Sequence, residues 1–205
     1  MQKQLFKEAI SSEIFGVISK ASKQIQIDSY VIGGFVRDFL LKRGTAKDID
    51  IVAVGSGIEL AQKVAELLPN KPKVQVFKTY GTAMLRYKDV EVEFVGARKE
   101  SYTEDSRNPA VIEGTLEDDQ NRRDFTINAL ALSLNETDYG ELLDPFQGIK
   151  ALEGKIIKTP LNPDVTYSDD PLRMMRAIRF SCLLYTSDAA DDMQCVDLGG
   201  RRIIK

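Results

Sequence analysis

The chain has 205 residues, of which 43% are hydrophobic and 29% charged, and its formal net charge is −3. This length accommodates one domain, or one domain and a fragment, and is sufficient to bury a hydrophobic core. The slightly acidic balance excludes a sequence-wide basic surface, so any contact with nucleic acid must come from local patches. The chain contains no histidine, which excludes Ser-His and Cys-His catalysis and leaves carboxylates as the metal ligands.

Neither the cysteines nor the hydropathy indicate a secreted or membrane protein. Cys182 and Cys195 lie near the C-terminal end and form neither a disulfide framework nor a zinc cluster in the sequence pattern. No run approaches the ~20 apolar residues of a transmembrane helix, and residues 1–15 lack the apolar segment of a signal peptide. We therefore expect a cytoplasmic protein with no zinc and no membrane partner.

The first predicted element is an amphipathic helix over residues 3–23. Its apolar residues recur with helical spacing at Leu5, Phe6, Ile10, Ile14, Val17, Ile18 and Ala21. We expect this helix to cover one face of a sheet and to have no further function.

A strand, two glycines and a short helix come next. The predicted strand ends at Ile32, Gly33 and Gly34 form a tight turn, and the helix covers residues 35–41. Glycines allow backbone N–H groups to approach phosphate oxygens, and a helix N-terminus adds unpaired donors and a positive dipole end. Arg37, one turn into the helix, can then clamp a phosphate with its guanidinium fork.

Residues 47–54 alternate between polar and apolar side chains, as in a strand with one buried face. Because residues two apart share a face, Asp48 and Asp50 point to the same side while Ile49 and Ile51 point to the core. Two such carboxylates, ~7 Å apart along the strand, can together hold two Mg²⁺ ions ~3.5–4 Å apart. Oxygen ligands of this kind suit hard cations.

Each of these two motifs alone has a simpler interpretation. Two glycines after a strand usually form only a turn, and a D-x-D is more often a solvated strand end. Together, in the order G-G-x-V-R-D and then D-x-D, they resemble the nucleotidyltransferase head of the class II tRNA nucleotidyltransferase and bacterial poly(A) polymerase family, within the DNA polymerase β superfamily. The resemblance implies that Gly33, Gly34 and Arg37 bind the nucleotide and that Asp48 and Asp50 are the catalytic metal ligands.

A helix over residues 58–68 and three strands over 73–77, 82–87 and 90–95 are predicted next, the last two as a hairpin. In the third strand Glu91 and Glu93 share one face. Glu93 lies ahead of Arg98 with the spacing at which the family has an acidic residue, so it is the candidate for a third catalytic carboxylate. An exposed glutamate on an edge strand is an equally good interpretation.

Residues 97–115 are polar and lack periodicity, which predicts a long loop beside the site. The following segment, RRDFTINAL, resembles the second motif of the family. In that motif the second arginine, here Arg123, reaches the nucleotide, and Asp124 lies near its ribose. A solvated ion-pair cluster that also includes Arg122 is the alternative interpretation.

Residues 139–149 predict a strand and a turn that support the head, and the D-P-F-x-G pattern of the family occurs there. A last short strand is predicted over residues 156–159, followed by a linker over residues 160–163. We assign these segments a structural role.

The segment over residues 168–180 predicts a helix with Ser168 as its N-cap. Four charged residues step by three around one side of it, and Leu172, Met175 and Ile178 occupy the opposite side. The charged residues are Asp170, Arg173, Arg176 and Arg179.

This helix resembles the E/D-D-x-x-R motif of the family. The resemblance implies that Asp170 and Arg173 present hydrogen-bonding edges to the base of the incoming CTP or ATP, and that Arg176 and Arg179 help to hold the nucleotide. A solvated basic helix face is the simpler alternative.

The resemblance ends after Phe180. We therefore predict a nucleotidyltransferase head over residues 1–160 and the start of a helical neck over residues 161–181. Residues 182–205 lack helical periodicity, and we expect them to be foreign to the family and disordered. The chain is accordingly interpreted as a head truncated at its C-terminus.

The expected fold is α+β, a polymerase β-type head with a mixed sheet of about five strands and helices on one face. The resemblance implies that the enzyme adds CMP and AMP from CTP and ATP to the 3′ end of tRNA with two Mg²⁺ ions and releases pyrophosphate. Most of the grip on tRNA would come from the missing C-terminal region. The sequence leaves open CC-adding, A-adding and poly(A) polymerase forms, and also an inactive nucleotide-binding fragment.

Overall fold

A mixed β-sheet with helices packed on one face forms the centre of the fold. The computed structural model describes residues 2–44, 47–103 and 106–185. The helices of this part are α1 (Gln2–Ala9), α2 (Glu13–Ile25), α3 (Gly34–Leu40), α4 (Gly57–Leu67), α5 (Leu116–Asn121), α6 (Gly148–Glu153), α7 (Pro163–Asp169) and α8 (Leu172–Tyr185). The strands are β1 (Ser29–Ile32), β2 (Asp48–Ala53), β3 (Gln75–Phe77), β4 (Thr82–Tyr87), β5 (Val90–Gly96), β6 (Arg98–Thr103), β7 (Ser106–Glu113), β8 (Ala131–Ser133) and β9 (Leu142–Leu143).

The central sheet has seven strands in the order β3-β4-β5-β2-β1-β8-β9. Strands β2 and β5 are parallel, whereas β2 and β1 are antiparallel, so the sheet is mixed. The predicted α+β class, mixed sheet and helical face are confirmed. The predicted number of about five strands is too low because β8, with three residues, and β9, with two, are too short to show an alternating pattern.

The main hydrophobic core lies between the sheet and helices α2, α3 and α4. Ile49, Ile51 and Ala53 of β2 point into it, together with Ile18 of α2 and Leu60 of α4. Since successive residues of a strand point to opposite faces, the two aspartates of β2 lie on the other face. A smaller apolar cluster covers that other face near β1 and β8.

The predicted helix over residues 3–23 is two helices, with a break between Ala9 and Glu13. Ser11 and Ser12 lie in the break, and serine side chains compete with the helical backbone for hydrogen bonds. Ser12 has an extended backbone, with ψ of 139°. The apolar stripe nevertheless continues across the break, since Ile10 and Ile14 are both buried.

Residues 97–115, predicted to be a loop, contain a two-stranded antiparallel ribbon formed by β6 and β7. The ribbon is a sheet separate from the central one. Strands β6 and β7 form a sheet of their own, and their sequence lacks the alternation of polar and apolar residues that marks a strand with one buried face.

The predicted helix start at Ser168 is wrong, because Ser168 lies inside α7. Asn162 caps α7 by accepting from the Asp164 N–H at 2.8 Å. Asp170 adopts an extended backbone because it precedes a proline, and its side chain accepts from the Leu172 N–H at 3.1 Å at the start of α8.

Three further boundaries differ from the predictions. Residues 156–159 are not a strand, although the Thr126 N–H donates to the Lys158 carbonyl at 2.8 Å. The predicted linker over residues 160–163 ends in Pro163, the first residue of α7. Helix α8 continues to Tyr185, into the predicted foreign tail, whose residues 186–205 lie outside the described part. The domain boundaries at 160 and 181 remain predictions.

No helix in the described ranges has the length and apolar character needed to cross a lipid bilayer.

Candidate active site

Four carboxylates lie in two neighbouring strands on the sheet face opposite the main core. In the parallel pairing of β2 with β5, Asp50 is paired with Glu93 and Asp48 with Glu91. Paired residues of adjacent strands point to the same face, and residues two apart along a strand do so as well. Asp48 and Asp50 therefore share one face, with Glu93 beside Asp50. The role of Glu93 as a third catalytic carboxylate remains a prediction.

The surroundings of Asp50 and Glu93 disfavour the charged forms of these two carboxylates. Burial raises the pKa of Asp50, the guanidinium of Arg123 lowers it, and the negative charge of Asp48 raises it again. Partial desolvation also raises the pKa of Glu93, and the charge of Asp50 raises it further. A cation placed between them would relieve this repulsion and favour the ionised forms.

Gly33 brings the loop before α3 close to Asp50 and Arg123. Its backbone is in a conformation that favours glycine, with φ of +80°. A Cβ atom at this position would lie 3.0 Å from Nη1 of Arg123 and 3.9 Å from Oδ2 of Asp50. The Gly33 N–H donates to the Leu130 carbonyl at 3.0 Å. Glycine thus leaves open the space between a carboxylate and a guanidinium. Phosphate binding by Gly33 and Gly34 remains a prediction.

The two arginines of the RRD segment are held by one buried carboxylate. Asp119 in α5 is fully buried. Its Oδ1 accepts from Nε of Arg122 at 2.9 Å, and its Oδ2 accepts from Nε and Nη2 of Arg123 at 3.1 and 2.9 Å. A capping box between Thr115 and Asp118 fixes the start of α5. The guanidinium of Arg123 is therefore fixed with Nη1 toward the loop of Gly33.

Arg37 is buried and surrounded by protein partners. Its Nε and Nη2 donate to the two carboxylate oxygens of Asp38, both at 2.8 Å, and its Nη1 donates to Oδ1 of Asn128 at 2.7 Å. Its guanidinium also lies 5.1 Å from the ring centre of Phe180. These contacts favour a role in joining α3 to α8, and phosphate contact by Arg37 remains a prediction.

Asp124 joins the RRD segment to α8. Its Oδ1 accepts from the Phe125 N–H at 2.8 Å and from Nδ2 of Asn128 at 3.0 Å, and its Oδ2 accepts from Nε of Arg176 at 2.6 Å. The carboxylate is 7% exposed, so the charge of Arg176 compensates a buried charge. Contact of Asp124 with a ribose remains a prediction.

Helix α8 packs against the head through Arg173 and Phe180, and part of its apolar side is exposed to solvent. Arg173 is 8% exposed and donates through Nη2 to the Arg122 carbonyl at 2.9 Å. Leu172, Met175 and Ile178, on the opposite side, are exposed. Arg173 and Arg176 point toward the head because a backbone carbonyl and the carboxylate of Asp124 accept their hydrogen bonds there.

Asp170 and Arg173 are adjacent at the start of α8, where the Arg173 N–H donates to the Asp170 carbonyl at 3.0 Å. Arg179 lies two turns after Leu172 and is exposed. Recognition of a base by Asp170 and Arg173, and of the nucleotide by Arg176 and Arg179, remains a prediction.

An open cleft of about 470 Å³ lies above the carboxylate face. The lining residues are Asp50, Val52, Phe77, Tyr80, Thr82, Glu93, Val95, Arg98, Arg122 and Arg123. Acidic groups therefore lie at the base of the cleft and guanidinium groups at its side, which suits a polyphosphate bound through a cation.

A known protein family matches the part of the chain that forms this site. The profile of the poly A polymerase head domain matches residues 29–158, which is more than half of the chain and includes the carboxylates, Gly33 and the RRD segment. The chain belongs to the poly A polymerase head domain family.

Relatives of this head domain include enzymes that act on tRNA. An A-adding tRNA nucleotidyltransferase of Aquifex aeolicus (strain VF5) is 42% identical over 153 residues, which cover 75% of this chain and 18% of that protein. A CCA-adding enzyme of Anoxybacillus flavithermus (strain DSM 21510 / WK1) is 35% identical over 193 residues, which cover 93% of this chain and 44% of that protein. The chain thus spans less than half the length of either relative.

Solved structures share the fold of this head domain. A tRNA nucleotidyltransferase complexed with a primer tRNA and an incoming ATP analog superposes with a TM-score of 0.71 at 35% identity, covering 89% of this chain and 50% of that chain. A CCA-adding enzyme in apo form II superposes with a TM-score of 0.77 at 36% identity, covering 86% of this chain and 42% of that chain.

The donor set of the head domain fits a divalent metal ion. Polymerase β-type nucleotidyltransferases generally use divalent metals. Among the described residues, no three His, Cys, Asp or Glu side chains form a complete metal-binding group. Two carboxylates suffice for Mg²⁺-like ions, which complete their coordination with water and substrate phosphates. Asp48 and Asp50, on one face beside Glu93, provide such an incomplete oxygen site.

Sequence patterns did not single out two residues that organise this cleft. Asp119 precedes Arg122 and Arg123 by three and four residues, a helical spacing at which side chains meet, so this signal was present in the sequence. Asn128, which contacts both Arg37 and Asp124, lies four residues after Asp124. Its contact with Arg37 joins residues 91 positions apart and has no local signal.

Proposed function

We propose that this chain is the catalytic head of a template-independent RNA nucleotidyltransferase. The reaction is addition of CMP and AMP from CTP and ATP to the 3′ end of tRNA, with release of pyrophosphate. The observation that carries the proposal is that Asp50 and Arg123 line one cleft and that Gly33 lies beside both of them. The relatives named above, a CCA-adding and an A-adding enzyme, support tRNA as the acceptor. We also propose a cytoplasmic location, where the tRNA acceptor would be available.

In this mechanism Arg123 binds the triphosphate, and Asp119 keeps its guanidinium directed at the space above Gly33. The 3′-oxygen of the RNA attacks the α-phosphorus in line, and the bond to the pyrophosphate oxygen breaks. The proton of the hydroxyl leaves to water or to a carboxylate, for which Glu93 beside Asp50 is the candidate.

Asp48 and Asp50 hold the divalent cation, which we propose to be Mg²⁺. When bound, such a cation lowers the pKa of the attacking hydroxyl and compensates the charge that develops on the phosphate. The raised pKa of Asp50 supports this role, because burial and the neighbouring charge of Asp48 leave the carboxylate in need of a cation.

Selection of the base is assigned to the start of α8. We propose that Asp170 provides acceptors and Arg173 provides donors to the edge of a base, while backbone carbonyls of the protein also accept from the Arg173 guanidinium and hold it in place. The hydrogen bond from Arg173 to the Arg122 carbonyl brings this helix start next to the segment that carries Arg123.

The test is incubation of the chain with labelled CTP or ATP, Mg²⁺ and a tRNA that lacks its 3′ end. We expect the label to appear in the tRNA, and the sequence of the extended end distinguishes CCA addition from CC addition, A addition and poly(A) synthesis. Absence of extended tRNA would overturn the proposal.

A second candidate function is nucleotide binding without transfer. Saturable binding of CTP with no extended tRNA would support this second function.

A further inference from the structure

Two aromatic side chains at the edge of the cleft are exposed to solvent. Phe77, the last residue of β3, is 42% exposed, and Tyr80, at the end of a short 3-10 turn, is 71% exposed. Both line the same cleft as Asp50 and Glu93. Neither has a role in the mechanism above.

The strand register places Phe77 on the carboxylate face of the sheet. Phe77 is paired with Thr82 of β4, and Thr82 is paired with Val95 of β5. Val95 is paired with Val52 of β2, which lies two residues after Asp50 and so shares its face. Phe77 therefore lies on the same face of the sheet as Asp50. The two residues are three strands apart, a lateral distance of about 14 Å, and their positions along the strands differ by two residues.

The in-line geometry of the proposed reaction places the RNA acceptor on the side of the cleft formed by β3, β4 and β5. Arg123 and Gly33, which we propose as the triphosphate side, lie next to β1. In an in-line displacement the attacking and leaving oxygens lie on opposite sides of the phosphorus. The RNA 3′-oxygen must then approach over β5 and β4, and the preceding nucleotides lie over β3 and the turn after it.

The segment that carries the two aromatics is basic. Residues 71–80 contain Lys71, Lys73 and Lys78 and no acidic residue, although the whole chain has a net charge of −3. All three lysines are exposed. Surfaces that bind single-stranded nucleic acid commonly combine basic side chains, which contact phosphates, with exposed aromatic rings, on which bases stack.

We propose that Phe77 and Tyr80 form a stacking platform for the last bases of the single-stranded 3′ end of the RNA acceptor. The proposal rests on the proposed function, since it assigns the acceptor subsite of the same cleft. Stacking on an aromatic ring tolerates any base, which suits an acceptor whose end changes with each nucleotide added.

A tryptophan reporter tests the platform directly. The chain has no tryptophan, so Tyr80→Trp places a single indole at the platform. We expect a ribo-oligonucleotide that ends in two cytidines to quench its fluorescence saturably. Phe77→Trp provides the same reporter if the first variant does not fold. Ile156→Trp is the matched control, because Ile156 is 54% exposed and does not line the cleft.

The proposal is overturned if the oligonucleotide quenches the fluorescence of neither Tyr80→Trp nor Phe77→Trp, or quenches it no more than that of the Ile156→Trp control. An affinity measurement adds a second criterion. Tyr80→Leu and Phe77→Leu should each weaken binding of the same oligonucleotide about tenfold or more, and Tyr80→Phe should retain it. Binding of CTP should be unchanged in all three variants.

The two proposals fail in distinguishable ways. If wild-type protein extends tRNA but the oligonucleotide does not quench the reporters, the platform is wrong and the function stands. If wild-type protein neither binds CTP nor extends tRNA, the proposed function fails, and saturable quenching at residue 80 alone still identifies an RNA-binding surface.

Discussion

At the scale of single residues, the cleft depends on charges that the protein itself holds in place. Asp119 is fully buried and contacts both Arg122 and Arg123, whose side chains are only partly exposed. A buried carboxylate of this kind requires its cations, and the cations in turn lose the freedom to point elsewhere. The direction of Arg123 toward Gly33 is therefore a property of the folded protein rather than of a bound nucleotide.

Asp119→Asn should both destabilise the protein and weaken nucleotide binding. Loss of one partner from a buried ion pair should lower the free energy of unfolding by about 3 kcal/mol. Arg123 would no longer be aligned, so we expect the Kd for CTP to rise about tenfold. Urea unfolding and calorimetric titration measure the two effects. Glu117→Gln, an exposed carboxylate on the same helix, is the control. Wild-type affinity in Asp119→Asn would contradict the assignment.

Asp50→Asn should stabilise the metal-free protein at neutral pH. Because burial raises the pKa of Asp50, the folded state binds its proton more tightly than the unfolded state does. Wild-type stability therefore falls as pH rises from the ordinary aspartate pKa through the raised folded pKa, and the asparagine variant lacks this fall. Urea unfolding with a chelator, between about pH 4 and about pH 8, measures the difference. Asp89→Asn, at an exposed turn, is the control, because it keeps Asp50 and therefore keeps the fall in stability. If Asp50→Asn is less stable than wild type at neutral pH, the predicted direction of the stability change is wrong.

The sequence predicted the residues whose chemistry follows from local spacing. Asp48 and Asp50 share a face because they are two apart on a strand, and Gly33 was identified by its position between a strand and a helix. The partners of Arg37 were not predictable, since Asn128 and Phe180 reach it only after the chain has folded. Catalytic roles for these residues are still predictions.

At the scale of elements, two arginines and one phenylalanine attach α8 to the head. Arg173 donates to the Arg122 carbonyl, Arg176 pairs with Asp124, and the ring of Phe180 packs edge-on against Phe125 with 5.7 Å between ring centres. The helix that we propose to select the base is thus fixed to the segment that we propose to bind the triphosphate.

Arg176→Met should weaken this attachment. The buried carboxylate of Asp124 would lose its charged donor, so we expect the free energy of unfolding to fall by about 2 kcal/mol. Arg179→Met makes the same change of charge and shape at an exposed position three residues later and should have little effect. The comparison is made by urea unfolding, and equal destabilisation by the two variants would contradict the role of the ion pair.

Elements with a regular pattern were predictable, and those defined by local interruptions were not. Strands β4 and β5 and helix α4 were predicted within one residue at each end, because alternation or helical spacing marks them clearly. The division between α1 and α2 and the start of α8 depend on single serines and prolines, whose effect competes with an otherwise continuous pattern. The β6–β7 ribbon is a sheet separate from the central one, and its sequence has no alternating pattern from which to predict strands.

At the scale of the whole molecule, the two faces of the sheet have different roles, one in packing the core and the other in carrying the proposed site. The face that packs on α2, α3 and α4 holds the main core, whereas the opposite face carries the carboxylates and the cleft. Because side chains alternate along β2, changes on the open face leave the core packing intact. Substitutions of Asp48 or Asp50 can therefore be interpreted as changes in chemistry.

The central claim is that Asp48 and Asp50 form the nucleotidyl-transfer site, and incorporation of labelled CMP into tRNA lacking its 3′ end tests it most directly. We predict that Asp48→Ala and Asp50→Ala each lower the rate about a thousandfold or more in the presence of Mg²⁺, with thermal unfolding still cooperative. Asp89→Ala, which removes an exposed carboxylate from the β4–β5 turn, should retain the wild-type rate. Wild-type incorporation by either active-site variant would contradict the claim.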